Sequence, residues 1–108
     1  PPLKPLGCEV KVVSKKVGKG FVSLLTVRNT TKKSVKPWEL SWTFNGSQKV
    51  QKVPGMRVKQ SGASVVVTSS KARATLKPGA RITLVVAGKG SPDVPWQYLL
   101  NGMACTSR

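Results

Sequence analysis

Large apolar side chains alternate with polar ones along residues 38–44, where the sequence reads WELSWTF. A period of two residues is typical of a β-strand, because successive side chains of a strand point to opposite faces of the sheet. The segment therefore predicts a strand that carries four large apolar groups on one face, Trp38, Leu40, Trp42 and Phe44.

The same period recurs at residues 10–12 and 82–86, and a short β-branched run occupies residues 65–67. Turn-forming residues separate these segments at Gly18-Lys19-Gly20, Asn45-Gly46, Pro54-Gly55 and Pro78-Gly79. No stretch has helical periodicity, and no internal repeat occurs. Short strands with turns at this spacing are typical of a sandwich or a barrel. We therefore expect an all-β fold, an antiparallel β-sandwich of about eight to nine strands.

Basic residues dominate the charge of this chain. Nineteen Lys and Arg stand against three acidic residues among 108, so the formal net charge is +16 at pH 7. The length fits one domain, and a hydrophobic content of 39% is not that of a disordered tail. Self-repulsion at this charge weakens a compact domain, so an acidic environment or partner is expected. Charge alone leaves acidic polysaccharide, polyphosphate and anionic membrane surfaces open.

The chain has two cysteines, Cys8 and Cys105, one near each end. A bond between them would tie the termini together and, in the chain-entropy model, add roughly 4–5 kcal/mol of stability. Such a bond requires an oxidising compartment, so it indicates a secreted, extracellular protein. Two unpaired buried thiols are the alternative. No apolar run reaches the ~18 residues of a membrane span, so no span is expected.

Proline marks the first segment, PPLKPLG, which we interpret as a linker stub at residues 1–7. Residues 8–105 are predicted to form the folded module and residues 106–108 a short tail, and a monomer is expected. Two triplets, Asn29-Thr30-Thr31 and Asn45-Gly46-Ser47, are glycosylation acceptors if the chain passes through a eukaryotic secretory route.

The inventory of side chains disfavours catalysis. Without His the chain lacks the commonest general base and metal ligand. Glycoside hydrolysis usually needs two positioned carboxylates, and the only acids are Glu9, Glu39 and Asp93, which we interpret as solvated charges. No phosphate-binding glycine loop, nucleophile elbow or metal-spaced cluster occurs in the sequence. We predict that the chain is not an enzyme and that it binds no metal or cofactor.

Further motifs follow one another in a recognisable order. After Cys8 come Gly20-Phe21, Asn29-Thr30, the WELSWTF strand, Gln60-Ser61-Gly62, Pro78-Gly79 and Leu100-Asn101-Gly102, before Cys105. In this order and spacing the chain resembles a family 2 carbohydrate-binding module, the cellulose- and xylan-binding type of secreted polysaccharide-degrading enzymes, over residues 8–105. The resemblance implies a β-sandwich of about nine antiparallel strands, a Cys8–Cys105 disulfide and a non-catalytic role.

The chain departs from that family at its ligand-binding surface. The resemblance implies three exposed aromatic side chains in a flat row for binding crystalline cellulose, and those positions fall on Val17, Pro54 and Ala72. Supporting polar positions fall near Lys15, Lys52 and Ala87, so they are changed as well. A large apolar side chain buried against a ligand contributes about 1.5–3 kcal/mol, so losing three removes roughly 4–9 kcal/mol. Cellulose binding of the family type is therefore expected to be absent or very weak.

Basic residues surround all three of these positions. They are Lys15, Lys16, Lys19, Lys52, Arg57, Lys71 and Arg73. We therefore predict that a sugar-stacking face has become a basic, anion-binding face made of these seven residues. The alternative is that Lys is spread over the whole surface, as the loop with Lys32, Lys33 and Lys36 illustrates.

One aromatic residue does not fit the family pattern. Trp96 follows Pro95 in a loop before the last strand, where the pattern has no Trp. It is a candidate for stacking on a sugar ring or a base, and equally for plugging the end of the sandwich. The other aromatic residues are predicted to lie in the core.

Two functions are compatible with these features. The first is a non-catalytic carbohydrate-binding module that binds an acidic polysaccharide or another polyanion rather than crystalline cellulose. The second is a secreted interaction protein that uses the same scaffold to bind nucleic acid or an acidic protein. The first is favoured, because no nucleic-acid-binding motif is present and no aromatic residues are interleaved with the basic ones.

Overall fold

The computed structural model describes residues 7–69, 75–92, 95 and 97–107. Within these ranges the chain forms nine strands and no helix, which confirms the all-β prediction. The strands are β1 (Cys8–Val17), β2 (Gly20–Asn29), β3 (Glu39–Thr43), β4 (Lys49–Lys52), β5 (Arg57–Ser61), β6 (Ser64–Thr68), β7 (Arg81–Lys89), β8 (Tyr98–Leu100) and β9 (Met103–Ser107). Nothing in the described part of the chain is a helix that could cross a membrane.

The nine strands lie side by side in the order β4-β7-β2-β1-β9-β8-β3-β6-β5. We call β4-β7-β2-β1 the first sheet and β8-β3-β6-β5 the second sheet. Strand β9 joins them, because it pairs with β1 on one side and with β8 on the other. The predicted sandwich is confirmed. One pair, β1–β9, is parallel, whereas all other neighbouring strands are antiparallel.

The two outermost strands, β4 and β5, meet through a side chain. Gln60 on β5 accepts a hydrogen bond at Oε1 from the backbone N–H of Val50 (2.8 Å), and its Nε2 donates to the carbonyl of Gln48 (2.9 Å). The same amide nitrogen donates to the carbonyl of Gly62 (3.0 Å). Because an unpaired strand edge is a template for aggregation, this contact protects the edge of β4 and nearly closes the sandwich into a barrel.

The core lies between the two sheets and follows the alternation seen in the sequence. Trp38, Leu40, Trp42 and Phe44 are all buried. The ring of Phe44 packs edge-on against Trp42 and against Phe21 of β2, with 6.0 Å between the ring centroids in both pairs. Since Phe21 belongs to the first sheet, this contact connects the two layers. The assignment of these aromatic residues to the core is confirmed.

A disulfide joins Cys8 and Cys105. The two residues are register partners in the parallel β1–β9 pair, with Cα atoms 4.5 Å apart, and both are buried. The bond therefore closes nearly the whole chain into one loop and secures the strand that joins the two sheets. The predicted pairing is confirmed, and the alternative of two free thiols is wrong.

Asn29, the last residue of β2, is fully buried. Its Nδ2 donates to the carbonyls of Lys33 (2.8 Å) and Leu76 (2.9 Å), and its Oδ1 accepts from the backbone N–H and the hydroxyl of Thr31. A glycan replaces one of the two hydrogens on Nδ2, so it would remove one of these donated bonds and would need space that the buried site does not have. A glycan on Asn29 is therefore incompatible with the folded domain, whereas Asn45 is exposed.

Replacing both cysteines, Cys8→Ala with Cys105→Ala, is expected to lower the free energy of unfolding by about 2–5 kcal/mol, because the lost bond constrains almost the entire unfolded chain. Urea unfolding followed by tryptophan fluorescence measures the change. An unfolding midpoint equal to that of the wild type would show that the bond contributes nothing to stability.

Asn29→Ala is expected to cost about 2–4 kcal/mol of unfolding free energy, since a fully buried amide loses its two bonds donated to the carbonyls of Lys33 and Leu76 and its two bonds accepted from Thr31. Thr30→Ala, at the neighbouring exposed position, is the control and should change stability by less than about 0.5 kcal/mol. Thermal and urea unfolding of both variants provide the comparison. Similar losses in the two variants would contradict the role given to the Asn29 amide.

Candidate functional site

Outward-facing residues of the first sheet form rows that cross its strands. In one row the register pairs Lys15 of β1 with Val22 of β2, Val22 with Ala87 of β7, and Ala87 with Lys52 of β4. Phe21, the neighbour of Val22 along β2, is buried, so the residues of this row point away from the core. Adjacent strands are spaced by about 4.8 Å, so the two exposed lysines lie roughly 14 Å apart across the sheet.

A second row lies next to the first and contains Val17, Gly20, Lys89 and Lys49. Val17 is 54% exposed, and the two lysines are register partners. A shallow depression of about 430 Å³ lies here, with Lys19 of the β1–β2 turn on its border. We call the surface formed by five exposed lysines of these rows and the turn the lysine end of the first sheet: Lys15, Lys19, Lys49, Lys52 and Lys89.

The structure brings together three of the predicted ligand-binding residues, Lys15, Lys19 and Lys52, at the lysine end. Lys16 is exposed, but it belongs to the opposite face of β1, since its register partner on β2 is buried. Arg57 begins β5, the edge strand of the second sheet, which meets the edge strand β4 of the first sheet through Gln60. Arg57 has no place in the register of the first sheet, and its contribution to this face stays a prediction.

No aromatic platform exists among the residues that the structure describes. Val17 and Pro54, at two of the three positions where the resemblance implies platform aromatics, are exposed and not aromatic. The third position, Ala72, lies outside the described residues, as do the predicted ligand-binding residues Lys71, Arg73 and Trp96. The described aromatic side chains are all buried: Phe21, Trp38, Trp42, Phe44 and Tyr98. Within this part of the chain a sugar ring therefore has no exposed aromatic ring on which to stack.

A row of exposed aliphatic side chains crosses the middle of the first sheet, and it was not predicted from the sequence. The register pairs Val13 of β1 with Leu24 of β2, and Leu24 with Val85 of β7. They are 57%, 43% and 41% exposed. The sequence signal is an apolar doublet in each strand, at residues 12–13, 24–25 and 85–86. In a strand the two members of a doublet point to opposite faces, so one of them must face outward.

The lysine end carries no acidic side chain among the described residues. Glu9 lies at the other end of the first sheet, where its register partner is Arg28, and Glu39 lies on β3 in the second sheet. Within the described ranges no group of three or more His, Cys, Asp or Glu is placed to hold a metal ion. The arrangement is therefore one that attracts anions and offers sugar rings an aliphatic surface.

Known proteins with related sequences place this scaffold in a family. The family model described as "Cellulose binding domain" matches residues 7–105. Exoglucanase A of Cellulomonas fimi is 29% identical over 102 residues, covering 93% of this chain and 12% of that protein. Chitinase C of Streptomyces lividans is 33% identical over 88 residues, covering 82% of this chain and 14% of that protein. The chain thus spans only a small part of the length of either relative.

The fold is also found among solved structures. The chitin-binding domain of Chi18aC from Streptomyces coelicolor superposes with a TM-score of 0.75 at 29% identity, covering 92% of this chain and 94% of that one. The family match extends from the residue before β1 to Cys105, so it includes β1 to β8, the first part of β9 and both cysteines of the disulfide. The chain belongs to the cellulose-binding domain family, the family 2 carbohydrate-binding modules.

Proposed function

We propose that this chain is a non-catalytic carbohydrate-binding module that holds an acidic polysaccharide at the lysine end of the first sheet, and that it does not bind crystalline cellulose in the manner of its family. One observation carries the proposal. At the positions where the family's aromatic platform is expected, the exposed side chains are Val17 and Pro54, and the supporting positions are occupied by Lys15 and Lys52 in a single row.

Exposed lysines favour a polymer with repeated negative charges over a neutral one. A single exposed ion pair contributes only about 0.2–1 kcal/mol, so one contact is too weak to hold a ligand. Several lysines on one face act together on a chain that presents a carboxylate or sulfate on successive units. Lys49 and Lys89 also face each other directly, and like charges in that arrangement repel. An anion bound between them would relieve that repulsion.

The class of ligand follows from the relatives. An exoglucanase, a chitinase and a chitin-binding domain are among them. We therefore propose polysaccharide as the ligand class, with the preference moved toward acidic members by the charge of this face. Pectin and sulfated or phosphorylated glycans carry the required charge.

We also propose that the module works outside the cell as a monomer. The Cys8–Cys105 disulfide needs an oxidising compartment to form. A formal net charge of +16 disfavours self-association and is balanced when a polyanion binds.

A salt series across several polymers tests the proposal. The module is expected to bind immobilised polygalacturonate and heparin at about 50 mM salt and to be released by about 0.3 M, where screening shortens to several Å. Insoluble cellulose and chitin are expected to retain little protein at any salt concentration. Retention on cellulose or chitin that persists at high salt would overturn the proposal. Tighter binding to duplex DNA than to polygalacturonate would favour a nucleic-acid-binding protein, since this much charge gives any protein some non-specific affinity for DNA.

Charge reversal tests the location of the site. Lys15→Glu with Lys52→Glu is expected to weaken polygalacturonate binding by about tenfold or more at low salt, because attraction becomes repulsion at two points of one row. Lys32→Glu with Lys33→Glu makes the same change in net charge at exposed positions of the β2–β3 loop and is the control. Isothermal titration calorimetry measures both. Equal losses would show that net charge, and not this face, governs binding.

A further inference from the structure

The first sheet carries a second basic cluster at the end opposite the lysine end. Arg28 of β2 and Arg81 of β7 are register partners, and both are exposed. With Lys11 of β1 they line a cavity of about 250 Å³, to which Glu9 and Thr26 also contribute. We call the surface formed by Lys11, Arg28 and Arg81 the arginine end of the first sheet.

The charges of the arginine end are not balanced by the groups that line its cavity. Arg28 and Arg81 lie directly opposite each other on neighbouring strands, an arrangement that is destabilising for like charges. Glu9, the register partner of Arg28 on β1, supplies one negative charge against the three positive ones. An anionic group in this cavity would offset the excess. Planar guanidinium groups suit carboxylate, sulfate and phosphate, which they contact with two parallel hydrogen bonds.

The aliphatic row of Val13, Leu24 and Val85 lies between the two basic ends. Along β2, Arg28 belongs to the arginine end, and Val22 belongs to the row that contains Lys15 and Lys52. Val22 lies six positions before Arg28 along β2, which corresponds to roughly 20 Å. The outer face is thus basic at the arginine end and at the lysine end and apolar between them. The strands of the first sheet run from one of these ends to the other.

We propose that the outer face of the first sheet, from the arginine end to the lysine end, is one binding surface for a single acidic polysaccharide chain that runs along the strands. Charged substituents of the chain contact both ends. The C–H faces of the sugar rings between them pack on Val13, Leu24 and Val85, a role that the family's aromatic rings would otherwise fill. This inference rests on the proposed function. It adds a second anion site at the arginine end, an apolar contact surface at the aliphatic row, and a minimum length for the ligand.

Other occupants fit this pattern less well. A second copy of the chain would bring two positively charged faces together, which costs free energy. Duplex DNA presents a charge about every 1.7 Å along its axis and keeps the faces of its bases stacked inside the helix, so it offers the aliphatic row no apolar surface. An acidic polysaccharide has both required features, since it carries ionised substituents and apolar ring faces.

Removing the arginine pair is the first test. Arg28→Gln with Arg81→Gln is expected to lower the affinity for polygalacturonate about tenfold at 50 mM salt, with a smaller loss at 150 mM because the contact is screened. Lys36→Gln with Lys59→Gln removes the same charge from exposed positions outside the first sheet. This control is expected to stay within about threefold of the wild type, the difference that net charge alone produces at this salt. Titration calorimetry on the folded variants gives both values.

Making the aliphatic row polar is the second test. The triple variant Val13→Thr, Leu24→Thr and Val85→Thr keeps β-branched or strand-compatible residues at exposed positions. It is expected to lose about tenfold in affinity at 50 and at 150 mM salt alike, since apolar contact is not screened by ions. Val66→Thr, at a half-buried position on the outer face of β6 in the second sheet, is a single-site control and should bind as the wild type does. Urea unfolding of each variant verifies that the fold is retained.

Oligogalacturonides of increasing length give an independent readout. Affinity is expected to rise with length until the oligomer spans roughly 20 Å, and to rise less in Arg28→Gln with Arg81→Gln. Failure of the wild type to bind polygalacturonate would overturn the proposed function itself. If the wild type binds through Lys15 and Lys52, but the arginine and threonine variants bind equally well, the proposed function stands and only the extended surface is refuted.

Discussion

The pairing of β1, β2 and β7 is the constraint on which every other feature of this molecule depends. Strands β1 and β2 pair over ten residues each, and β2 and β7 pair over nine. A slip of one residue would turn every inward side chain outward. Buried residues such as Leu25 and its partner Leu84 oppose such a slip, because exposing them loses the hydrophobic free energy that holds the layers together. The same register aligns the outer rows of lysine, aliphatic and arginine side chains.

Positive charge on the outer face is a cost that the interior offsets. Like charges oppose each other twice on the first sheet, at Lys49–Lys89 and at Arg28–Arg81. The apolar core, the disulfide and the Gln60 contact between the edge strands stabilise the sandwich without involving those side chains. A scaffold built in this way can change its ligand surface while its interior stays the same, which is why membership of the family does not by itself determine the ligand.

The core could be predicted because the alternation of apolar and polar residues is a local feature of the sequence. The site was harder to predict because it depends on which residues of different strands are paired. The burial of residues such as Trp42 can be predicted from the alternation of apolar and polar residues within a few positions of sequence. Arg57 was grouped with Lys52 because the two are close in sequence, and the structure places them on different edge strands, β5 and β4. The pairing of Arg28 with Arg81 has no local signal at all, since only the β2–β7 register brings two distant segments together. The aliphatic row did leave a signal, its apolar doublets.

The most direct measurement is a map of backbone amide chemical shifts while an isotopically labelled module is titrated with oligogalacturonide. The largest changes are expected along the strands of the first sheet, at Lys15, Val22 and Leu24 and on to Arg28, with little change in the second sheet. Changes concentrated on the outer face of the second sheet, around Val66, would contradict the assignment of the ligand to the basic and aliphatic face.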